Sequence, residues 1–236
     1  MYKKLLKIAT ISGASLLVGH TVYAGTNDDP LLSMVKIDSF SWVENEDRTY
    51  LFEGEAWVGY DLDKVWFKAD IEHHHGATEE LELQALYSKA VAANWDFQIG
   101  IRKDFLPNPD NHWLVVGFKG LAPYYFELDP SLFISESGQV GFRMSAEYEI
   151  MLTQQWVLSP EVEMNAYSKD DEEYQRGAGL ADSEVSLQLR YEISPKFAPF
   201  IAVSRNNAYG KTADFLRAEG ETTNSTEYTL GFRAWF

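Results

Sequence analysis

Apolar and polar positions alternate with a period of two along much of this chain, most cleanly from Thr226 to Phe236. Tyr228, Leu230, Phe232, Ala234 and Phe236 share one phase; Glu227, Thr229, Gly231, Arg233 and Trp235 share the other. Successive side chains of a strand point to opposite faces, so the two sets separate onto two surfaces. A greasy face, a polar face and a terminal Phe suit the closing strand of an outer-membrane β-barrel. An edge strand of a soluble sandwich carries the same alternation, so this segment alone leaves both readings open.

Twelve segments of this kind are predicted, at roughly 34–43, 49–60, 63–73, 79–91, 94–105, 112–121, 124–135, 139–151, 155–168, 182–192, 197–206 and 226–236. Tight connections fall near 60–63, 91–94, 121–124, 152–155 and 193–197; longer polar ones fall near 44–48, 73–79, 105–112, 135–139, 168–182 and 206–225. The two kinds alternate without a break, as do the short periplasmic turns and longer outer loops of such barrels. Met34 to Val43 alternates poorly, yet parity requires it as the first strand. Ten strands is the alternative count. Pro130, Pro160 and Pro199 fall inside predicted strands, where the missing N–H has no free edge to face, so bulges or early strand ends are expected there.

One phase carries no charge in several segments: Val65, Phe67, Ala69 and Ile71, or Trp95, Phe97, Ile99 and Ile101. Met144 and Met164 share it and read as packing against lipid rather than as ligands. Trp95, Tyr124, Tyr148, Trp156 and Tyr191 cluster beside the tight turns, where an interfacial aromatic girdle belongs. The opposite phase is acidic, with Glu53, Glu55, Asp70, Asp104, Glu127, Asp129, Glu147, Glu149, Glu161 and Glu163 prominent. They outnumber the bases of that phase, Lys68, Arg102, Lys119, Arg143, Arg190 and Arg233. A confined tube lined this way concentrates cations; a solvated wall of Arg–Glu ladders is the plainer alternative.

The N-terminus adds a destination. Lys3, Lys4 and Lys7, an apolar run from Ile8 to Val18, and Val22-Tyr23-Ala24 make a secretory signal, with cleavage expected after Ala24. The run is too short to span a bilayer as a helix. The organisation predicted is a signal peptide over 1–24, a flexible lead over 25–33 and a barrel over 34–236. The fold class is therefore all-β: a transmembrane antiparallel up-and-down barrel in the outer membrane of a Gram-negative cell. A formal net charge of −16 repels nucleic acid and attracts cations. There is no Cys, hence no disulfide and no thiolate metal site. A mean hydropathy of −0.28 is compatible with a barrel, half of whose strand residues are polar.

His73, His74 and His75 stand at the outer end of the third segment beside Glu72, and clustered imidazoles suit copper, zinc or nickel. Three consecutive residues of a strand cannot all point one way, so a solvated loop tip is the competing reading. His112 is solitary. No nucleophile elbow, zinc-protease motif or phosphate loop is present, and no enzymatic activity is expected.

Several blocks, among them FEGEAWVGYDLDKVWFK (52–68), GLAPYYFELD (120–129), PEVEMNAYSKDD (160–171), GAGLADSEVSLQLRYEIS (177–194) and the GFRAWF end, resemble the copper resistance protein B family (CopB/PcoB). The resemblance runs from about residue 50 to the C-terminus. It implies an outer-membrane barrel tied to copper binding, homeostasis or tolerance, with the copper ion bound or transported. It also implies that Trp57, Trp66 and Tyr167 face the lumen beside the carboxylates. Members often carry a Met- and His-rich segment before the barrel; residues 25–50 here contain only Met34 and no His. The expectation is an acidic lumen that binds or passes copper or other divalent cations. The alternative is a plugged structural barrel that recruits a periplasmic copper-handling protein. The partners expected are these cations, outer-membrane lipid and that protein, and no nucleic acid.

Overall fold

The computed structural model of the chain describes residues 29–43, 49–74, 77–106 and 109–236. The predicted leader, the start of the lead and His75 lie outside the described residues. The strands are β1 (Leu32–Val43), β2 (Thr49–Gly59), β3 (Asp63–His74), β4 (Ala77–Ala92), β5 (Trp95–Leu106), β6 (Asn111–Ala122), β7 (Phe126–Ser135), β8 (Val140–Glu147), β9 (Ile150–Met151), β10 (Trp156–Tyr167), β11 (Gly179–Tyr191), β12 (Phe197–Ala208) and β13 (Asn224–Trp235), with a helix, α1 (Gly210–Glu219). Each strand is antiparallel to its neighbours, and β13 pairs with β1 to close the sheet. Both β8 and β9 pair with β10 and together form one stave. The result is a closed barrel of twelve staves, in the predicted order.

The bilayer-length strands follow from the alternation. Outward-phase side chains are exposed on the barrel exterior: Phe67 is 53% exposed, Ile101 65% and Leu230 58%. Of the predicted aromatics, Trp156 and Tyr191 meet at the short-turn end with rings 4.9 Å apart, and Tyr148 stands there 4.8 Å from the ring of Phe126. Tyr124 is 82% exposed there.

The poor alternation of β1 has a physical cause. Its pairing with β2 shifts register between Ile37 and Ser39, a bulge at Asp38. A bulge inserts one residue and resets the phase. Lys36 before it, Asp38 itself, and Ser39 and Ser41 after it therefore all line the lumen. At the prolines the ladders show gaps and ends rather than bulges, the second of the two outcomes expected. The β6–β7 ladder skips Pro130, resuming at Ser131 on one side and Leu128 on the other. Pro160 faces the gap between β8 and β9. Pro199 lies just beyond the last β11–β12 pair, Arg190 with Phe200. A residue without an N–H removes a rung rather than bending the strand.

Two connections differ from expectation. The loop predicted over 73–79 is short, since β3 runs to His74 and β4 begins at Ala77. The loop predicted over 206–225 contains α1, which buries Ala213 and ends at Gly220 in the left-handed region at φ 85°. The segment before β11 is structured too. Asp171 and Arg176 pair as an isolated bridge, and the Gly177 amide donates to Thr212 Oγ1 of α1 at 2.8 Å.

Candidate site: an acidic, half-filled lumen

Inward positions of β3 to β7 do not all face solvent. Trp66, Leu86, Trp113, Val115 and Phe133 form a buried apolar cluster inside the barrel, with Trp57 and Tyr167 packed against it. Gln84, Ser88 and Gln98 are buried with them. The remainder of the lumen is a cavity of about 740 Å3, lined by β1–β4, β6–β8 and β10–β13. It reaches from Glu72 and Glu80 near the long-loop end to Leu121 and Glu127 near the short-turn end. Among the described residues, fourteen carboxylates and five basic side chains line it.

Ion pairs crossing the lumen separate the packed part from the open part. Lys68 on β3 donates to Asp129 on β7 at 2.9 Å, and Lys119 on β6 to Glu55 on β2 at 2.9 Å. Arg143 on β8 lies 3.4 Å from Glu82 on β4 and 3.5 Å from Glu163. Deeper in the packed part, Arg102 bridges Glu82 at 2.8 Å and Asp104 at 2.6 Å. Asp104 also accepts from Trp113 Nε1 at 3.0 Å and from Arg176 at 3.4 Å. The Arg176 guanidinium, delivered by the 168–178 loop, sits over the rings of Trp113, Tyr167 and Tyr174.

The open part holds carboxylates with no ion pair among the described residues. Glu53 is paired across strands with Asp70. Glu127 is paired with Glu147, and Glu147 in turn with Glu161, so three carboxylates stand side by side on β7, β8 and β10. Directly opposed side chains have Cβ atoms about 5 Å apart, and like charges there repel. Glu161 accepts a hydrogen bond from Ser145 at 3.0 Å, and its charge and that of Glu163 act on Glu53 from the facing wall.

The predicted site residues thus divide. Glu53, Asp70, Glu127, Glu147 and Glu161 are brought together with no ion pair within 4 Å among the described residues. Glu55, Asp129 and Glu163 line the cavity but are held by Lys or Arg. Asp104 is buried in the Arg102 network, and Glu149 leaves the ladder at the β8–β9 gap to meet Arg190 at 2.7 Å and Arg233 at 3.5 Å. Glu72 lines the lumen. His73 takes the opposite phase, its ring 6.3 Å from that of Tyr50 and its Nδ1 3.3 Å from Thr78 Oγ1. The strand's period of two therefore places Glu72 and His73 on different faces, while the His74 side chain and His75 lie outside the described residues. Among the described residues no three His, Cys, Asp or Glu side chains converge as a metal cluster. His112 is 3.8 Å from Asp110, whose carboxyl a hydrogen bond and the charge of Lys103 hold below its usual range.

Lys36, Asp38 and Arg176 are lumen or mouth groups that the alternation did not single out. Lys36 reaches Asp38 at 2.5 Å and Glu55 at 3.6 Å. The bulge hides the first two in sequence. Arg176 belongs to a loop, where no periodicity operates.

The family model described as "Copper resistance protein B precursor (CopB)" matches residues 31–236. The chain is 39% identical over 221 residues to Copper resistance protein B of Escherichia coli, covering 93% of this chain and 73% of that protein. It is 35% identical over 232 residues to the Copper resistance protein B homolog of Pseudomonas syringae pv. tomato, covering 97% and 79%. Among solved structures it is similar to the NanC porin, with a TM-score of 0.57 at 12% identity, covering 86% of this chain and 99% of that one. The KdgM porin in complex with disordered oligogalacturonate gives a TM-score of 0.53 at 9% identity, covering 87% and 99%. These two likenesses speak for the fold alone.

Proposed function

Because the chain belongs to the copper resistance protein B family, we propose that this outer-membrane barrel binds copper in its acidic lumen and passes it along the open part. The observation that carries the reading is the row Glu127, Glu147 and Glu161, three neighbouring carboxylates with no ion pair within 4 Å among the described residues. Two like charges about 5 Å apart repel by about 3 kcal/mol at an effective dielectric constant near 20, and a divalent cation between them reverses that sign. The paired Glu53 and Asp70 supply a second acidic stretch on the facing wall.

The ligand chemistry narrows the cargo. Carboxylate oxygens suit Cu(II) and other hard or borderline divalent ions and are poor partners for Cu(I). There is no Cys, and Met144 and Met164 take the outward phase, opposite each other on β8 and β10. We infer a preference for Cu(II) with low selectivity among divalent ions. The role is non-enzymatic. A His73 collection point at the mouth would draw on His74 and His75, since His73 itself turns away from Glu72.

Planar bilayers test the proposal. Cation-selective conductance is expected, falling in selectivity when Glu147 and Glu161 are both changed to Gln. Anion selectivity would remove it. A second reading is favoured by the packed part of the lumen: a barrel that recruits a periplasmic copper-handling protein and conducts nothing. Silent bilayers together with copper-dependent capture of such a protein would choose that reading.

A further inference from the structure

Lys68 and Asp129, Lys119 and Glu55, and Arg143 and Glu82 each join staves four apart. A circular barrel of twelve strands, spaced about 4.8 Å and tilted about 40°, is roughly 24 Å across, and a chord over four staves is roughly 20 Å. Extended Lys and Asp side chains joined by a hydrogen bond span only about 13 Å between Cα atoms. The β2–β4 wall is therefore drawn toward the β6–β8 wall, and the section is oval. Strand number and stagger fix the perimeter of a barrel but leave its shape to what lies inside. Here the inside is an apolar cluster on one flank, and the crossing pairs face the cavity on the other. Lys68, Lys119, Asp129 and Arg143 all line that cavity.

We propose that Lys68–Asp129 and Lys119–Glu55 determine the size limit of the passage. They are straps that hold the barrel flattened and bound the open part. Released, the barrel relaxes toward a rounder section and admits larger solutes. The inference rests on the lumen being a passage, but not on copper being its cargo. It also explains why bases occur at these places in an acidic lumen: each neutralises one carboxylate and, at the same time, ties two walls.

The test uses the full chain refolded into planar bilayers. Wild type is compared with Lys68→Met/Asp129→Leu and with the charge-exchanged Lys68→Asp/Asp129→Lys. Conductance in potassium chloride and exclusion of polyethylene glycols of graded size are read for each. The first variant is expected to raise conductance on the order of two-fold and to admit larger polymers; the exchanged variant is expected to return toward wild type. A silent wild type beside a conducting first variant supports the proposal equally. An unchanged polymer cut-off in a folded variant overturns it, as does silence of both proteins. Folding is verified by the heat-modifiable gel mobility of a closed barrel. If the first variant does not fold, Lys119→Met/Glu55→Met takes the same measurements with the same criteria. Failure of the copper reading alone would appear differently, as wild-type anion selectivity with the size response intact.

Discussion

The Arg102 guanidinium lies 2.8 Å from the Glu82 carboxylate, and their side chains are only 5% and 2% exposed. An ion pair this deep inside the barrel is not a solvated surface contact. Its neighbours Asp104, Arg143 and Gln84 complete it, with Gln84 Nε2 donating to Glu82 Oε1 at 2.5 Å.

Removing one member should therefore be expensive. Glu82→Ala leaves two guanidinium groups without their shared partner and is expected to destabilise the barrel by about 3–5 kcal/mol. Glu82→Gln keeps the hydrogen-bonding shape and should lose less. Urea-dependent refolding into detergent or lipid, followed by tryptophan fluorescence, measures both. Equal losses from the two variants would argue against a charge-specific role.

The carboxylate row predicts the opposite sign. Glu161 stands beside Glu147, and the charges of Glu163 and Glu184 also act on it, so Glu161→Gln relieves like-charge repulsion without changing shape. The metal-free barrel is expected to gain about 1 kcal/mol. The stabilisation that Cu(II) adds to the wild type should shrink in the same variant. Unfolding curves with and without Cu(II) give both numbers, and a variant still stabilised fully by Cu(II) would place the ion elsewhere.

His73→Ala should leave Cu(II) retention within about two-fold of wild type, because the side chain turns away from the lumen-lining Glu72. Metal quantification on the purified, refolded protein checks this. A large loss would mean that ligands gather at the mouth rather than along the tube.

The 168–178 loop should depend on its two anchors. A Cβ on Gly177 would lie 2.5 Å from the Thr212 amide nitrogen and 2.6 Å from Lys211 Cβ, so Gly177→Val separates the loop from α1. Limited proteolysis between Asp170 and Gln175 is expected to accelerate about ten-fold, which corresponds to about 1.4 kcal/mol of local opening. Arg176→Ala should act in the same direction by removing the cation from over Trp113, Tyr167 and Tyr174.

Phe67 tests the exterior. It lies near the middle of β3 on the outward phase, and Phe67→Arg is expected to cost about 2–4 kcal/mol of folding stability in lipid. The same substitution at Phe236, just beyond the end of β13, should cost less. Reversible folding into liposomes compares them.

Much of this architecture was legible in the chain because a strand's period of two is local. Phe67 and Lys68 had to face opposite ways wherever β3 lay, and the alternating short and long connections ordered the staves. The prolines were legible as faults but not as missing rungs, since which neighbour lacks a partner depends on register. β1 resisted reading because one bulged residue, Asp38, reset its phase. α1 was missed because a short helix held by contacts with β11 and the Gly177 segment needs no strong pattern of its own.

The site was half legible for the same reason. Alternation alone placed Glu53, Glu55, Asp70 and Asp129 on the inner face. Which of them lack an ion pair was decided only in three dimensions, where Lys68 reaches Asp129 and Lys119 reaches Glu55, 61 and 64 positions apart in sequence. Which face a residue takes follows from its own backbone, but which residue it meets follows from how the closed sheet is flattened. The chain by itself therefore determined the staves and the sign of the lumen, and the tertiary structure decided its width, its filled flank and its free carboxylates.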